Sequence, residues 1–204
     1  MISVLKLNSG NINSIINMMN HIGYPNYKII NTKEEILNSK KIIMPGIGHF
    51  GETMRYLNNN DLSDTLKFTI KEKKVPILGI CVGAQIMLES SEEDDQEQGL
   101  KFLEGKCKKF ELASTRVSLN MGWNKVSVKK KNNLFENDDN KFYFCHSYYI
   151  DEVNQSNILS KTIFGKEFIS SFQKDNILGV QFHIEKSHKY GMSFLKNFIQ
   201  NFYV

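Results

Sequence analysis

The 204-residue chain is 41% hydrophobic and 24% charged, which is an ordinary globular composition, and its length predicts one domain over residues 1–204. The net charge is only +4 and the lysines are scattered, so we expect no nucleic-acid binding. Three separated cysteines without a CxxC pair argue against a disulfide framework or structural zinc, and the lack of a long apolar run predicts a cytoplasmic protein that does not enter a membrane.

In the first half of the chain, short runs rich in β-branched residues alternate with helical patterns. This alternation predicts a parallel sheet covered by helices on both faces, an α/β fold. The predicted strands are ISVLKL, YKII, KKIIMPG and VPILGI. The predicted helices are NINSIINMMNHIG and residues 33–38, 53–58 and 64–74.

The second half of the chain contains little predicted helix. KCKKFEL, NKVSV, KFYFCHSYYI and EFISSFQ read as strands separated by turn residues. NILGVQFH then predicts another apolar strand, and residues 190–202 form an amphipathic helical pattern. We therefore expect an open, mostly parallel sheet flanked by helices, with extra antiparallel strands in the second half.

The stretch VPILGICVGAQIML places Cys81 where the predicted strand turns into a helix, with Gly79 and Gly83 two residues to either side. This G-x-C-x-G pattern is the cysteine counterpart of the nucleophile elbow, in which a sharp turn lifts the side chain out of the sheet. Small neighbours are needed because strand and helix approach closely, and the helix N-terminus favours a thiolate. The alternative is a buried structural cysteine between two packing glycines.

A thiolate nucleophile requires a base and a group that orients this base. GVQFHIEKS supplies His183 and Glu185, whose spacing directs both side chains to the same side of a strand. MPGIGHFG ends another strand in a glycine-rich loop, and its N–H groups, with that of Val82, could stabilise an oxyanion. Each motif alone also fits a surface pair or a tight turn. Together they predict acyl transfer at the carboxyl edge of the sheet.

GICVGAQIML and GVQFHIEKS resemble the signatures of class I, triad-type glutamine amidotransferases. SGNINSI, PGIGHFG, GLKFLEG, MGWNKV and FCHSYY are further similar to glutaminase subunits of imidazole glycerol phosphate synthases, from histidine biosynthesis. The resemblance covers nearly the whole chain. It implies a flavodoxin-like fold and hydrolysis of L-glutamine to glutamate and ammonia through a cysteinyl thioester, with no metal and no cofactor.

The resemblance implies the roles of the reacting groups. Cys81 would be the nucleophile, His183 the acid and base, and Glu185 the carboxylate that orients His183. The N–H groups of Ile47 and Val82 would stabilise the oxyanion.

The resemblance also implies binding residues. Gln85, Ser147 and Tyr148 would hold the glutamine substrate. In the family, the glutaminase forms a heterodimer with a (β/α)8-barrel cyclase, which receives the ammonia through its barrel. Trp123 and Lys186 match family positions at that contact.

The chain departs from the family pattern at three places outside the triad. Ile184 replaces the usual proline, Leu119–Asn120 replaces Pro-His, and Lys6-Leu7-Asn8 replaces Asp-Tyr-Gly. These departures leave the ammonia acceptor open. The alternatives are a related subunit that supplies ammonia for amidating surface sugars and a stand-alone cysteine hydrolase of the same fold. A catalytically inactive regulatory module is a further alternative, against which the complete triad argues.

Other conspicuous residues receive structural interpretations. Phe194, Phe198 and Phe202 recur at helical spacing and indicate core packing. The acidic run at 89–98 is expected to be an exposed helix end and loop rather than a ligand site. The adjacent Cys145 and His146 are expected to face opposite sides of a strand, so a shared metal is not expected.

Overall fold

The computed structural model describes residues 1–111, 118–135 and 140–203. The described strands form one mixed sheet. They are β1 (Ile2–Leu5), β2 (Tyr27–Ile30), β3 (Ile42–Gly46), β4 (Ile77–Cys81), β5 (Ser90–Ser91), β6 (Lys106–Lys109), β7 (Asn120–Val128), β8 (Asn140–His146), β9 (Tyr148–Asp151), β10 (Ile158–Phe164), β11 (Lys166–Lys174) and β12 (Ile177–Val180).

The described helices flank this sheet. They are α1 (Ile12–His21), α2 (Lys33–Leu37), α3 (Phe50–Asn59), α4 (Leu62–Lys67), α5 (Val82–Gln85) and α6 (His188–Asn201). A π-helical turn, Phe68–Glu72, extends α4, and a 3-10 turn, Ile184–Lys186, precedes α6. Within the described residues, no helix combines the length and apolar character needed to cross a membrane.

The sheet has a parallel half and an antiparallel half. Strands β2, β1, β3, β4 and β12 lie side by side in that order, and all of these neighbours pair in parallel. Strands β11, β10, β7 and β8 continue the sheet with antiparallel pairing. The expected α/β fold, with additional antiparallel strands in the second half, is confirmed.

Burial explains why the parallel strands read as continuous apolar runs. Every residue of β1, β3, β4 and β12 is buried, as expected for parallel strands covered on both faces. Helix α6 packs on one face through Phe194 and Phe198, and Phe202 follows it; all three are buried. The core interpretation of these three phenylalanines is confirmed.

Strand β10 was not predicted, because its sequence, ILSKTIF, is interrupted by polar residues. The structure accommodates them by local pairing. The Ser160 hydroxyl is buried and lies 2.9 Å from that of Ser170 and 2.5 Å from that of Ser171. Mutual hydrogen bonding of this kind removes the penalty of burying a hydroxyl in a strand.

Two predicted segments also end differently. KFYFCHSYYI is divided at Ser147 into β8 and β9. KCKKFEL forms a strand only at β6, and its last residue lies outside the described residues. The strand division at Ser147 matters for function, because residues on both sides of it line the cleft that contains Cys81.

Helix α5 is much shorter than the sequence pattern suggested, and it ends at Gln85. The segment that contains Leu100 and Phe102 folds back and donates hydrogen bonds to carbonyl groups that a longer helix would have used. The N–H groups of Leu100 and Phe102 donate to the carbonyls of Ile86 and Met87 at 2.7 and 2.8 Å. The acidic run is therefore a short strand and turns, and the predicted helix end there is wrong.

Candidate active site

Cys81 ends β4 in a backbone conformation that a side-chain-bearing residue rarely adopts. Its φ is 53° and its ψ is −113°, as expected for a strained turn that projects one side chain from a sheet. A Cβ on Gly79 would lie 2.6 Å from the Gly83 carbonyl oxygen. A Cβ on Gly83 would lie 2.0 Å from the Met44 carbonyl oxygen. Both glycines are therefore required for α5 to lie against β4 and β3.

The three predicted motifs meet at one edge of the sheet. Strand β4 lies between β3 and β12 in parallel register, with Gly46 opposite Cys81 and Val180 opposite Ile80. His183 follows β12, and its N–H donates to the Tyr143 carbonyl of β8 at 2.8 Å. The structure therefore brings the cysteine elbow, the His–Glu pair and the glycine loop together at the carboxyl ends of adjacent strands.

His183 and Glu185 form a buried pair. The distance between His183 Nδ1 and Glu185 Oε1 is 2.7 Å, and each side chain is only 3% exposed. Burial alone would lower the pKa of His183, but the charge and hydrogen bond of Cys81 and the contact with Glu185 raise it to about 11. A proton on His183 is thus stabilised from two sides, by sulfur and by carboxylate.

The glycine loop adjoins the first turn of α5. A Cβ on Gly46 would lie 2.6 Å from the Gly83 nitrogen, so the two backbones are in direct contact. Ile47 and Val82 both line the cleft beside Cys81. Val82 is the first residue of α5, and the first N–H groups of a helix have no acceptor within it. At the far side of the loop, the Ser9 hydroxyl donates to the Ile47 carbonyl.

The cleft around Cys81 has a volume of about 60 Å³, the space of about two water molecules. Its lining combines the nucleophile candidate with other residues from four segments of the chain. The lining residues are Ile47, Gly48, Cys81, Val82, Gln85, Glu93, Cys145, His146, Ser147 and Tyr148. Among the described residues, no group of three or more His, Cys, Asp or Glu side chains could hold a metal ion.

Gln85 is held rigidly beside the cleft. It is buried, and its Nε2 donates to the Tyr148 carbonyl at 2.9 Å and to Gln181 Oε1 at 3.2 Å. Gln181 in turn directs its Nε2 toward Cys81 Sγ at 3.8 Å. The three residues expected to hold glutamine, Gln85, Ser147 and Tyr148, therefore lie together. Sequence analysis gave Gln181 no role, although it lies within GVQFHIEKS, because its contacts with Gln85 and Cys81 depend on residues about 100 positions away.

Glu93 was also missed. The acidic run was expected to be no ligand site, and most of it is on the surface, but Glu93 turns inward and lines the cleft. Its carboxylate accepts the Phe50 N–H at the start of α3, at 2.7 Å. Asp94 next to it pairs with Arg55 at 3.0 Å. No periodic signal distinguishes Glu93 from its acidic neighbours, because the inward turn depends on these contacts with α3.

Cys145 and His146 are neighbours on β8, and both border the cleft. Burial alternates along β8 up to these two residues, as expected for neighbours that face opposite sides of a strand. Cys145 is half-buried, while His146 is almost fully buried. The pKa of His146 is lowered to about 3 by burial and by the charge of His183.

The two residues expected at a partner interface lie in one surface cluster. Trp123 is 46% exposed and stacks on His188, with ring centroids 5.7 Å apart. The edge of the cluster is Tyr143, which meets Trp123 in a T-shaped contact and lies under the Lys186 ammonium at 5.7 Å. We call Trp123, Tyr143, Lys186 and His188 the tryptophan cluster. It is linked directly to the cleft, since the Tyr143 carbonyl binds the His183 N–H.

Comparison with known proteins gives a consistent result. The family model for class-I glutamine amidotransferases matches residues 4–202. An imidazole glycerol phosphate synthase subunit HisH 2 from Methanococcus maripaludis is 42% identical over 98% of this chain and 99% of its own. The HisH subunit from Methanocaldococcus jannaschii is 40% identical, with 98% and 99% covered. The structure of PurLQS from Thermotoga maritima superposes with a TM-score of 0.73, at 15% identity, over 97% of this chain and 96% of the matched one.

Proposed function

Because this chain belongs to the class I glutamine amidotransferases, we propose that it is the glutaminase subunit of an imidazole glycerol phosphate synthase. It hydrolyses L-glutamine to glutamate and ammonia. The observation that carries the proposal is the placement of the buried His183–Glu185 pair against Cys81, which lines the cleft, in a chain whose full-length relatives are named as this subunit.

The first half of the reaction would form a thioester and release ammonia. The Cys81 thiolate attacks the carboxamide carbon of glutamine, and the developing oxyanion lies near the N–H groups of Ile47 and Val82. His183 carries a proton, because Cys81 and Glu185 raise its pKa to about 11. His183 gives this proton to the departing nitrogen as the C–N bond breaks, and ammonia leaves.

The second half would regenerate the enzyme. Water attacks the thioester carbon, and the now neutral His183 takes one proton from that water. The C–S bond breaks, glutamate leaves, and the thiolate is again paired with a protonated His183. Glu185 holds the ring through Nδ1 at 2.7 Å during both transfers, so that the other ring nitrogen faces the reacting atoms.

Recognition of glutamine follows from the polar lining of the cleft. The small cavity beside Cys81 suits the carboxamide end, and the amino-acid end would extend toward the mouth. There Glu93 provides a carboxylate that matches an α-ammonium group. Gln85, Ser147 and Tyr148 form the opposite wall.

Glu93→Gln should raise the KM for glutamine about tenfold, because a charge-assisted contact is worth about 1.5–3 kcal/mol. It should leave kcat nearly unchanged, since the amide oxygen can still accept the Phe50 N–H. Steady-state glutaminase kinetics measure both constants. Asp95→Asn is the matched control, because Asp95 is an exposed carboxylate of the same run. An equal rise in KM for both variants would exclude Glu93 as the ammonium partner.

The partner in this proposal is a (β/α)8-barrel cyclase that binds as a heterodimer and receives the ammonia. The tryptophan cluster supports this, because it presents an exposed Trp and Lys next to the strand that binds His183. Of the departures from the family pattern, Leu7, Asn120 and Ile184 are buried, whereas Lys6, Asn8 and Leu119 are exposed. Only these three exposed residues could contact a partner directly and so alter its choice.

The isolated chain should be a weak glutaminase whose turnover rises about 100-fold or more when the cyclase and its acceptor are present. Rotation of the peptide between Gly46 and Ile47 would supply or withdraw one oxyanion donor, and one donor is worth about 10²–10³ in rate. The cyclase would drive this by binding the inward state better.

The test is glutamine turnover of the chain alone, with a cyclase plus acceptor, and with a sugar-amidating synthase. Activation by the cyclase supports the proposed function. Activation by the sugar synthase alone would assign the chain to surface-glycan amidation. Full activity of the isolated chain would identify a stand-alone hydrolase.

A further inference from the structure

A second chain of hydrogen-bonded polar groups, separate from the triad, reaches the cleft that contains Cys81. It runs from Asn124 to Asn120 on β7, then to His146 on β8, and ends at the Tyr148 carbonyl. The donor–acceptor distances are 2.7, 3.0 and 2.8 Å. Gln85 Nε2 donates to the same carbonyl at 2.9 Å. The Tyr148 carbonyl therefore joins this chain to the residues beside Cys81.

We propose that Asn120 and His146 are positioning residues that fix the Tyr148–Gln85 wall of the cleft and couple it to strand β7 of the tryptophan cluster. This inference rests on the proposed glutaminase function. Neither residue is assigned a reaction step; both act through the carbonyl that holds Gln85.

The direction of the hydrogen bonds follows from the carbonyl at the end. A carbonyl oxygen only accepts, so His146 Nδ1 must carry a hydrogen. A neutral His146 then has Nε2 as an acceptor, and Asn120 must present its NH₂ group to it. The Asn120 oxygen is left to accept from Asn124 Nδ2. One tautomer of His146 thus sets the orientation of two asparagines.

Burial keeps His146 neutral and shields the Asn120–His146 hydrogen bond from bulk water. Asn120 is 1% exposed and His146 6% exposed. The rings of Phe110, Phe144 and Phe168 pack around the imidazole with centroids 5.4–5.7 Å away. A charged His146 would face the protonated His183. A buried polar chain with each of these groups paired holds one geometry, because every alternative leaves a group unsatisfied.

The outer end of the chain lies on the strand that carries Trp123. Asn124 is the next residue and is half-buried, and β7 pairs with β8 in register from Asn120–His146 to Val126–Asn140. A partner that binds against Trp123 would displace β7. The hydrogen bonds of Asn120 and His146 would then transmit this displacement to the Tyr148 carbonyl. The coupling is mechanical and needs no change in charge.

The experiment compares two variants at each position in the complete complex. His146→Leu should raise the KM for glutamine about tenfold or more, since the Tyr148 carbonyl loses the donor that fixes it beside Gln85 and the buried Asn120 NH₂ group loses its acceptor. His146→Asn should recover most of this loss, because its amide nitrogen can occupy the Nδ1 position and donate to the same carbonyl.

Asn120→Leu should likewise raise KM and reduce the fold activation by the partner, while Asn120→Asp should retain the contact geometry but draw a proton onto His146. Imidazole ¹⁵N shifts should show a neutral Nδ1–H His146 in the wild type and a protonated ring in Asn120→Asp. Equal kinetics for His146→Leu and His146→Asn, or an Nε2–H tautomer, would overturn the inference. Wild-type complex that fails to use glutamine would instead overturn the proposed function.

Discussion

Cys81→Ala should abolish glutamine-dependent synthesis, lowering kcat by on the order of 10⁵–10⁶, the usual scale for loss of a covalent nucleophile in a triad. Synthesis from added ammonia should be unchanged, because the acceptor chemistry belongs to the partner. The measurement is product formation by the complex with glutamine or with an ammonium salt as nitrogen source. Loss of both activities would mean that the substitution disturbs the complex rather than the chemistry.

A glutamine-like electrophile should label Cys81 and spare the other two cysteines. Cys107 is fully buried, and burial raises the pKa of its thiol well above the usual range. Cys145 is the demanding control, because it is half-buried and borders the same cleft. Cys145→Ser should leave labelling and turnover intact. Peptide mapping that places the label mainly on Cys145 or Cys107 would contradict the assignment of Cys81 as the nucleophile.

His183→Ala should lower kcat by about 10²–10⁴, the range for a general acid and base. In the proposed mechanism, its proton is the one transferred to ammonia and later taken from water, and the His183 ring lies between Cys81 and Glu185. Single-turnover measurements should show slower thioester formation and slower thioester hydrolysis. A loss confined to KM would show that His183 only shapes the cleft.

Glu185→Gln should cost less than His183→Ala, because the amide oxygen can still accept from Nδ1 while the negative charge is gone. Without that charge, the pKa of His183 should fall from about 11, and the alkaline limb of the glutaminase pH profile should move toward neutral pH. Equal losses for the two variants, in folded proteins, would contradict this division of roles.

The chemistry of the cleft was predictable where it depends on local spacing. The elbow could be predicted because both glycines are required by nearby backbone. A Cβ on Gly79 would clash with the Gly83 carbonyl, four residues away, and a Cβ on Gly83 would clash with the Met44 carbonyl on the adjacent strand. The His183–Glu185 pair could be predicted because the two residues are close in sequence, but the expected strand geometry is wrong, since the two meet where the 3-10 turn Ile184–Lys186 begins. Strands buried on both faces could be predicted because almost every residue in them is apolar, so each strand appears in the sequence as a continuous apolar run.

The rest depends on contacts between distant segments, which leave no pattern in the chain. Glu93 faces the cleft because Phe50 and Arg55 of α3 hold its loop. Asn120 and His146 are ordinary polar residues until β7 and β8 pair in register. Helix α5 ends early because the carbonyls of Ile86 and Met87, which would continue it, accept hydrogen bonds from the N–H groups of Leu100 and Phe102 instead. In each case the contacting residues are too far apart in sequence for a helical or strand periodicity to reveal the contact.

The contact between Gly83 and the end of β3 restricts how the active site can move. A Cβ on Gly83 would lie 2.0 Å from the Met44 carbonyl oxygen, and one on Gly46 would lie 2.6 Å from the Gly83 nitrogen, so the end of β3 and the start of α5 pack backbone against backbone. The base of the glycine loop is therefore packed closely against the helix that follows Cys81. Torsion about the single bonds of Gly46 and Ile47 would add or withdraw the proposed oxyanion donor without displacing Cys81.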